Sequence, residues 1–333
     1  MDAMKLKVGV VGAGALGKLH SKFYSLSENA DLVGIYDINP EAAAKVAQEF
    51  NTKAFEKIKD LAKQCDALSV AVPAHKHFET AIPLLKMKKH LLIEKPLATE
   101  VKHGEKIVKL AEKNNLVLGV GHVERYNPIL AHLEKCNAKT RFIEAHRLAP
   151  FPPPRPGMYP RGTEVGVVLD LMIHDLDIIL QLVGVPVEKV DAVGMPILCK
   201  DEDIAHARIQ FKNGCVANVT ASRISQEYQR RFRVFQTDSY VTLDYAKKTG
   251  LTFSISDGKI TSEPLPVNDH NALEVEIEDF ISCASETVRT GQVKEMKVSG
   301  RHGLEALKLA VKIIDKIKNY SEKYPLFKPV ERK

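Results

Sequence analysis

The 333-residue sequence predicts an N-terminal α/β domain with a doubly wound parallel sheet and a C-terminal α+β domain with an open antiparallel sheet. Three observations lead to this fold class. Short apolar runs alternate with helical patterns in the first 120 residues, a proline-rich segment follows, and hairpin turns then separate strand patterns. The length agrees with two domains, since a typical domain has roughly 100–200 residues.

The first domain is predicted from its apolar periodicity. Its strands are expected at residues 8–11, 32–36, 67–72, 91–93 and 116–120, and its helices at 16–25, 40–50, 77–87 and 101–113. Pro40 stands at a favoured first-turn position of the second helix. Strands that alternate with helices in this way form βαβ units, so a parallel sheet is expected.

The second domain has a different pattern. The segment 147–160 contains six prolines and is expected to be neither helix nor central strand. A helical pattern over 167–183 ends at Gly184, and Asn213-Gly214 and Asp257-Gly258 are hairpin signals. Strands are expected at 205–211, 216–221, 232–236 and 240–243, and helices at 272–288 and 303–320. The boundary is expected within 121–127, giving domains of 1–123 and 124–333.

Composition excludes several classes of protein. The net charge of +6 is too diffuse to indicate a nucleic-acid partner, although it suits an anionic ligand. The sequence has no run of about 18 apolar residues, so no integral membrane segment is expected. The first residues do not resemble a signal peptide. No cysteine pair has Cys-x-x-Cys spacing, so reduced thiols in a cytoplasmic protein are expected rather than disulfides or zinc. The five cysteines are Cys65, Cys136, Cys199, Cys215 and Cys283.

A glycine-rich motif follows the first predicted strand and opens the first helix. It comprises Gly12, Ala13, Gly14, Ala15, Leu16 and Gly17. Glycines at these places allow a tight turn, close approach to a pyrophosphate and close helix packing, as in a Rossmann nucleotide site. Asp37 follows Gly17 by 20 residues, where a carboxylate binds ribose hydroxyls and repels a 2′-phosphate. NAD is therefore favoured over NADP, and a glycine-rich turn without a nucleotide is the competing interpretation.

Two further motifs carry acid–base groups. Glu94-Lys95-Pro96 follows a predicted strand at the sheet edge where ligands bind, although a surface lysine there is common. Asp170, His174 and Asp177 share one face at helical spacing, and a histidine held by a carboxylate suits general acid–base catalysis. A solvated polar face is an equal alternative for that segment. A metal site is less favoured, and no metal is expected.

Several arginines lie in the second half of the chain. Arg223, Arg230, Arg231 and Arg233 form a basic cluster for which a solvated sheet face is favoured over pyrophosphate binding. Arg147, Arg155, Tyr159 and Arg161 surround the proline-rich segment, which suits either a substrate lid or a cover of the domain junction.

The order of these motifs, together with Val72-Pro73 and His77, resembles the Gfo/Idh/MocA oxidoreductase family over nearly the whole chain. The resemblance implies that the second domain supports a sugar site and forms the contacts of a homo-oligomer, a dimer or tetramer. It also implies roles for individual residues. Lys95 would lie between nicotinamide and substrate, Asp170 would bind substrate hydroxyls, His174 would exchange the proton, and Val72, Pro73, His77 and Glu94 would contribute to the cofactor site.

Two segments, 121–128 and 167–175, resemble the branch of this family that oxidises the 3-hydroxyl of UDP-N-acetylglucosamine for lipid A synthesis. The segment 162–167 departs from the glycine-rich pattern of inositol and glucose dehydrogenases and fits that branch better. A sugar aminotransferase is the implied functional partner. The residues expected at the substrate are Lys95, Arg125, Tyr126, Asn127, Tyr159, Arg161, Asp170 and His174.

Other functions stay open at this point. A UDP-uronic acid or a free sugar or polyol such as inositol is an alternative substrate. A non-catalytic NAD-binding regulator is an alternative of another class. The presence of Lys95, Asp170 and His174 together favours an enzyme.

Overall fold

The computed structural model describes residues 5–153, 160, 162–237, 239–256, 258–267 and 269–325. The chain forms two compact units. One comprises the chain up to Tyr126 together with His270–Leu307, and the other comprises Asn127–Asp269 together with the chain from Lys308. The division of function at 123/124 stays a prediction. No helix among the described residues is both long and apolar enough to span a membrane.

The first unit contains a six-stranded sheet with the strand order β3-β2-β1-β4-β5-β6, and all its strand pairs are parallel. The elements are β1 Leu6–Val11, α1 Ala15–Leu26, β2 Ala30–Tyr36, α2 Pro40–Glu49, β3 Lys53–Phe55, α3 Ile58–Gln64, β4 Ala67–Val70, α4 His77–Lys86, β5 His90–Glu94, α5 Val101–Lys113 and β6 Leu118–Gly121. This order confirms the predicted doubly wound Rossmann sheet, whose direction of winding reverses between β1 and β4.

The core of the first unit joins the sheet to a helix from late in the chain. Val8, Val10 and Ile35 of the sheet have 0% exposure and pack in one apolar cluster with Phe280 and Ile281. The last two belong to α7, which in chain order is the seventh α-helix and spans Ala272–Thr290. The apolar runs of the sequence are therefore the buried strands, as their composition predicts.

The second unit contains an eight-stranded sheet with the order β14-β13-β12-β11-β7-β10-β9-β8. Its pairings are antiparallel except for β7 with β10, which are parallel. The remaining elements are β7 Phe142–Leu148, α6 Ile173–Val183, β8 Val187–Met195, β9 Ile204–Phe211, β10 Val216–Ser222, β11 Gln229–Phe235, β12 Ser239–Asp244, β13 Thr249–Ser256, β14 Lys259–Pro264 and α8 Gly300–Lys323. The predicted open sheet is confirmed, with one parallel pair that the sequence does not predict.

The two faces of this sheet differ in composition. Along β9, buried Ala205, Ala207 and Ile209 alternate with exposed His206 and Arg208. The apolar face faces the unit's own core, where α6 contacts β7, as expected when helices cover one side of an antiparallel sheet. The alternation therefore fixes the register, since a shift of one residue would bury the charged set.

Several details differ from the expectations, among them the strands β7, β8, β13 and β14, which lie outside the expected strand ranges. The sequence does not predict β3 or α3, because β3 has three residues and α3 has seven. It also does not predict the 3₁₀-helical segment Pro128–Lys139. The expectation that 147–160 avoids a central strand is wrong for Arg147 and Leu148, which end the central strand β7. The prolines begin only at Pro150, so they do not interrupt the pairing.

Candidate functional site

The glycine motif lies in the turn between β1 and α1, and each glycine has a separate steric reason. Gly12 has φ +105°, and a Cβ there would lie 2.4 Å from the carbonyl oxygen of Ala71. A Cβ on Gly17 would lie 1.8 Å from the carbonyl oxygen of Gly12. A Cβ on Gly14 would meet nothing within 4 Å, so open space lies at the start of α1. The turn leaves no room for a side chain at Gly12 or Gly17, and it is open at Gly14, where a pyrophosphate would lie. This geometry fits a dinucleotide.

Asp37 follows β2 and faces this turn. Its Oδ2 accepts a 2.6 Å hydrogen bond from the backbone N–H of Ala13, and its Oδ1 accepts one of 2.8 Å from Asn39. The side chain is only half-buried, so lone pairs remain accessible. A carboxylate fixed beside the glycine turn fits the ribose hydroxyls of an adenosine. A cleft of about 240 Å³ adjoins the turn and is lined by Ala13, Gly14, Ala15, Lys18, Ala42, Lys45, Val46 and Glu49.

The Asp37→Ser variant is expected to bind NAD about 10–100-fold more weakly, because hydrogen bonds to a charged group are lost. The preference for NAD over NADP should narrow as well, since the carboxylate no longer repels a 2′-phosphate. Titration of both cofactors measures the ratio. Asp31→Ser, an exposed carboxylate on the same strand, is the matched control. An unchanged NAD-to-NADP ratio in Asp37→Ser would assign cofactor choice to other residues.

Glu94 ends β5 and is buried, with 7% exposure. Its Oε1 lies 2.9 Å from Nε2 of His20. Burial alone would raise the pKa of the Glu94 carboxyl, but the hydrogen bond from His20 and the nearby charges of His20 and Lys95 outweigh it and hold the pKa below its usual range. The carboxylate is therefore ionised next to half-buried Lys95.

His77 begins α4 and has 0% exposure. Its Nδ1 lies 2.7 Å from the carbonyl oxygen of Pro96, and its Nε2 lies 2.9 Å from that of Val72. Burial lowers the pKa of the imidazole, and the two carbonyl oxygens oppose that shift. Its ring thus contacts the backbone of two motifs of the sequence, Val72-Pro73 and Glu94-Lys95-Pro96. A direct contact of His77 with the cofactor stays a prediction.

Asp170 and His174 lie in the second unit, at the start of the predicted helix. Residues Val168–Met172 form a π-helical turn that leads directly into α6, which ends at Gly184 with φ +65°. Asp170 and His174 are both half-buried, whereas Asp177 is 2% exposed. The helix is therefore confirmed, but its first turn is wider than the regular spacing assumes. π-turns of this kind occur frequently at functional sites.

Asp170 is enclosed by the turn that precedes it. A Cβ on Gly162, which has φ +82°, would lie 2.3 Å from Oδ2 of Asp170. A Cβ on Gly166 would lie 2.1 Å from Oε1 of Glu202, which accepts a 3.2 Å hydrogen bond from the backbone N–H of Val168. A larger residue at either position would therefore have to displace the carboxyl group that lies against it.

Arg223 holds the same turn from the sheet. Its guanidinium donates to the carbonyl oxygens of Gly162 and Val165 at 2.7 and 2.8 Å, and its Nε lies 3.0 Å from Oδ1 of Asp203. The expectation of a solvated cluster is wrong for Arg223, which is 2% exposed. Burial raises the pKa of Asp203, but backbone N–H donors from 197–199 outweigh this and lower it. The ionised pair therefore fixes the turn against Asp170.

Gly162→Ala tests this geometry. The new methyl group must displace the Asp170 carboxyl, and a displacement of this size can cost up to about 10²-fold in turnover. Gly214→Ala is the matched control, because its φ of +81° is nearly the same but no atom lies within 4 Å of the added Cβ. Both variants pay a similar backbone penalty of roughly 1–2 kcal/mol. Equal kcat in the two variants would contradict a steric effect on Asp170.

Asp175, directly after His174, belongs to a buried polar group. Nε of Arg147 lies 3.1 Å from Oδ2 of Asp175, and the hydroxyl of Tyr245 donates to Oδ1 of the same carboxylate. Asp175 has 0% exposure and Arg147 has 3%. Arg147 therefore stabilises α6 through Asp175. This contact accounts for the burial of Arg147 without a role in a substrate lid.

Other residues expected at the substrate have structural partners. The hydroxyl of Tyr126 donates to Oδ2 of Asp279 at 2.6 Å, and Nδ2 of Asn127 donates to the carbonyl oxygen of Tyr245 at 3.2 Å. Arg125 donates to the carbonyl oxygen of Lys297 at 3.4 Å. Their contacts with a substrate stay predictions. Tyr159 and Arg161 lie outside the described residues.

Several contributors have no motif of their own. His20 lies on the buried face of α1 with Ser21 and Tyr24, a polar stripe that is visible in the sequence at helical spacing. Glu202 and Arg223 give no comparable signal, because their partners lie far away in the sequence. Among the described residues, no group of three or more His, Cys, Asp or Glu side chains has an arrangement suited to a metal ion.

Comparison with known proteins gives consistent matches. Residues 6–122 match the profile described as an oxidoreductase family with an NAD-binding Rossmann fold, and residues 138–242 match the GFO/IDH/MocA C-terminal domain. UDP-N-acetylglucosamine 3-dehydrogenase of Acidithiobacillus ferrooxidans is 34% identical over 285 residues, or 84% of this chain and 88% of that protein. Myo-inositol 2-dehydrogenase of Thermotoga maritima is 25% identical over 76% of this chain and 79% of its own length.

The fold has close counterparts among solved structures. The structure of the A. ferrooxidans UDP-N-acetylglucosamine 3-dehydrogenase GnnA superimposes with a TM-score of 0.85 at 32% identity. The superposition covers 95% of this chain and 99% of that chain. Both units of the present chain thus have counterparts in one solved protein.

Proposed function

The chain belongs to the Gfo/Idh/MocA oxidoreductase family, and from this premise we propose that it oxidises a nucleotide sugar, with the 3-hydroxyl of UDP-N-acetylglucosamine as the reacting group. The family and the NAD cofactor expected from the sequence are confirmed. The activity is that of an oxidoreductase. The sugar, the oxidised carbon and the lipid A route are the further content of the proposal.

One observation carries the choice of substrate. A relative named for UDP-N-acetylglucosamine oxidation at C3 is 34% identical over most of both chains, while the inositol dehydrogenase relative is 25% identical. A nucleotide sugar also suits the net charge of +6, because both ligands then carry a pyrophosphate. The chain contains no Trp, so its sugar recognition must depend on hydrogen bonds rather than indole stacking.

The proposed chemistry assigns one task to each of three side chains. NAD, when bound, supplies the acceptor for the hydride that leaves the sugar carbon. His174 takes the proton of the reacting hydroxyl, so the carbon and oxygen form a carbonyl group. The ammonium group of Lys95 stabilises the negative charge that develops on that oxygen. Asp170 binds the sugar hydroxyls and orients them, and the Gly162 turn keeps its carboxyl in one place.

The cofactor site is proposed on the first unit. The open space at Gly14 and the carboxylate of Asp37 would hold the pyrophosphate and the adenosine ribose, respectively. Ala15 and Leu16 would contribute backbone N–H groups of the first turn of α1, and Ala13 would line the turn while its own N–H donates to Asp37. Val72, Pro73 and Glu94 would lie nearer the nicotinamide, in segments that His77 and His20 hold.

A substrate panel tests the proposal. The purified chain is incubated with NAD and either UDP-N-acetylglucosamine, a UDP-uronic acid, glucose or myo-inositol, with an aminotransferase present to remove a keto product. NADH formation is expected with UDP-N-acetylglucosamine alone, together with a keto sugar two hydrogens lighter when the aminotransferase is left out. Preferential turnover of inositol or of the uronic acid would transfer the proposal to that substrate. Tight NAD binding without turnover of any member would favour the regulator.

The cellular setting is part of the same proposal. We place the enzyme in the cytoplasm, as a homo-oligomer that hands its keto sugar to a sugar aminotransferase. The absence of disulfide bonds among the described cysteines agrees with a reducing compartment. Fractionation of cells and light scattering of the purified chain measure the first two points directly.

A further inference from the structure

Lys95 stands between two residues that buried histidines bind. Glu94 precedes it, and Oε1 of Glu94 lies 2.9 Å from Nε2 of His20 on α1. Pro96 follows it, and its carbonyl oxygen lies 2.7 Å from Nδ1 of His77 at the start of α4. Both imidazole rings have 0% exposure. The turn that carries Lys95 is therefore held on either side by a helix of the same unit.

We propose that His20 and His77 are positioning residues, which hold Lys95 in the orientation that its task requires. The proposal rests on the role given to Lys95 in the proposed function. Neither histidine reaches the surface, so neither is placed to touch a substrate. A lysine has a long, flexible side chain. The direction of that side chain therefore depends on the backbone from which it extends and on the charged groups nearby.

When the ring of His20 is neutral, the hydrogen bonds around it run in one direction. The ionised Glu94 only accepts, so Nε2 of His20 donates to it. In the neutral ring, Nδ1 then accepts from the hydroxyl of Ser69, 3.0 Å away. The oxygen of Ser69 in turn accepts from the hydroxyl of Tyr24 at 2.7 Å. Burial raises the pKa of the Tyr24 phenol, so it stays protonated and continues to donate.

This chain of donors stabilises a negative charge beside Lys95. Aligned hydrogen bonds polarise one another, and burial strengthens each of them. A carboxylate that is held in one place fixes the turn that carries Lys95, whose ammonium group can then stabilise a developing alkoxide. Loss of the donor from His20 would leave the carboxylate free to rotate.

His77 acts on the backbone rather than on a charge. Its second nitrogen lies 2.9 Å from the carbonyl oxygen of Val72, so one ring contacts both segments. A neutral ring has one N–H, and the shorter contact is the one to Pro96. A side chain that keeps an N–H donor at this place should therefore keep most of the effect.

The first test is a double-mutant cycle. His20→Gln is expected to lower kcat about tenfold, as for loss of a hydrogen bond to a charged group. Tyr24→Phe, at the far end of the chain of donors, should give a smaller loss in the same direction. In a Lys95→Met background, His20→Gln should change the residual kcat by less than about twofold, because the residue it acts through is gone. The Kd for NAD is measured for each variant, so that a change in cofactor binding is separated from a change in kcat.

The control removes a buried hydroxyl elsewhere in the unit. Thr287 on α7 donates to the carbonyl oxygen of Cys283 and is 5% exposed. Thr287→Val should lower the melting temperature as Tyr24→Phe does, but it should leave kcat unchanged. If both variants lose kcat in proportion to stability, a positioning role is excluded for Tyr24.

The second test needs no turnover. The rate of acetylation of Lys95 is measured at one fixed pH by mass spectrometry on the full chain. In His20→Gln this rate is expected to rise severalfold, because the turn that carries Lys95 is no longer held on the side of Glu94. If the wild type turns over none of the sugars, the proposed function fails and this rate still decides the role of His20. If His20→Gln does not fold, Tyr24→Phe and Ser69→Ala are measured in its place.

His77 is tested by a conservative rescue. His77→Leu should lose kcat about tenfold, whereas His77→Gln, which can donate to the Pro96 carbonyl, should retain most of it. The proposal is overturned for His20 if the acetylation rate of Lys95 stays at its wild-type value or if the cycle is additive. It is overturned for His77 if the leucine and glutamine variants lose equal activity.

Discussion

Replacing His174 by alanine is expected to lower turnover by about 10²–10⁴-fold, the usual contribution of a general acid–base group. The imidazole is the proposed acceptor of the hydroxyl proton, and no other titratable side chain is assigned this task. NAD binding should be unchanged, because the cofactor site is proposed on the first unit. Steady-state rates with saturating sugar and a separate titration with NAD measure the two quantities.

The control for this variant is a histidine of the same unit with a different location. His206 lies exposed on β9, where its ring contacts the hydroxyl of Thr220. His206→Ala should keep kcat within about twofold, as expected of distant independent sites. A loss of less than about tenfold in His174→Ala would move the proton transfer to another group, since the general-base effect is larger than that.

Replacing Arg147 by methionine is expected to destabilise the second unit by about 3–5 kcal/mol, because one partner of a buried ion pair is removed. Asp175 has 0% exposure, and only the hydroxyl of Tyr245 would remain as a described donor to its side chain. His174 precedes Asp175, so kcat should fall together with stability. Thermal unfolding and rates at low temperature measure both.

A second substitution distinguishes the cause. Arg147→Met combined with Asp175→Leu replaces the whole pair by apolar side chains, which is often neutral or better for stability. The double variant should therefore recover much of the melting temperature lost by the single variant. Arg231→Met, an exposed arginine on neighbouring β11, is the control and should change little. An unstable double variant would indicate that packing volume, and not the unpaired charge, limits stability.

The parallel sheet follows from local patterns. Buried strands of a doubly wound sheet are continuous apolar runs, and the helices between them have a clear period, so the alternation is visible in sequence. β3 and α3 could not be predicted in this way, because β3 has three residues and α3 has seven, which are too few to establish a period. The parallel pairing of β7 with β10 could not be predicted, since it joins segments about 70 residues apart without a local turn.

The candidate site also has a part that the sequence predicts and a part that it does not. The glycine turn and Asp37 could be predicted because their chemistry depends on neighbours along the chain. The residues that hold the site in place could not be predicted. Nothing in the sequence indicates that Arg223 binds the carbonyl oxygen of Gly162, which is 61 positions away. The sequence favours a solvated surface cluster instead. The π-turn at Val168–Met172 also has no periodic signature of its own.

The most direct test of the central claim follows the hydrogen on C3 of the sugar. UDP-N-acetylglucosamine with deuterium at C3 is incubated with NAD and the purified full chain, and both products are examined by mass spectrometry. We expect deuterium in the reduced cofactor and a keto sugar without it. Reduced cofactor without deuterium, or no reduced cofactor while another sugar of the panel gives it, would contradict oxidation at C3 of this substrate.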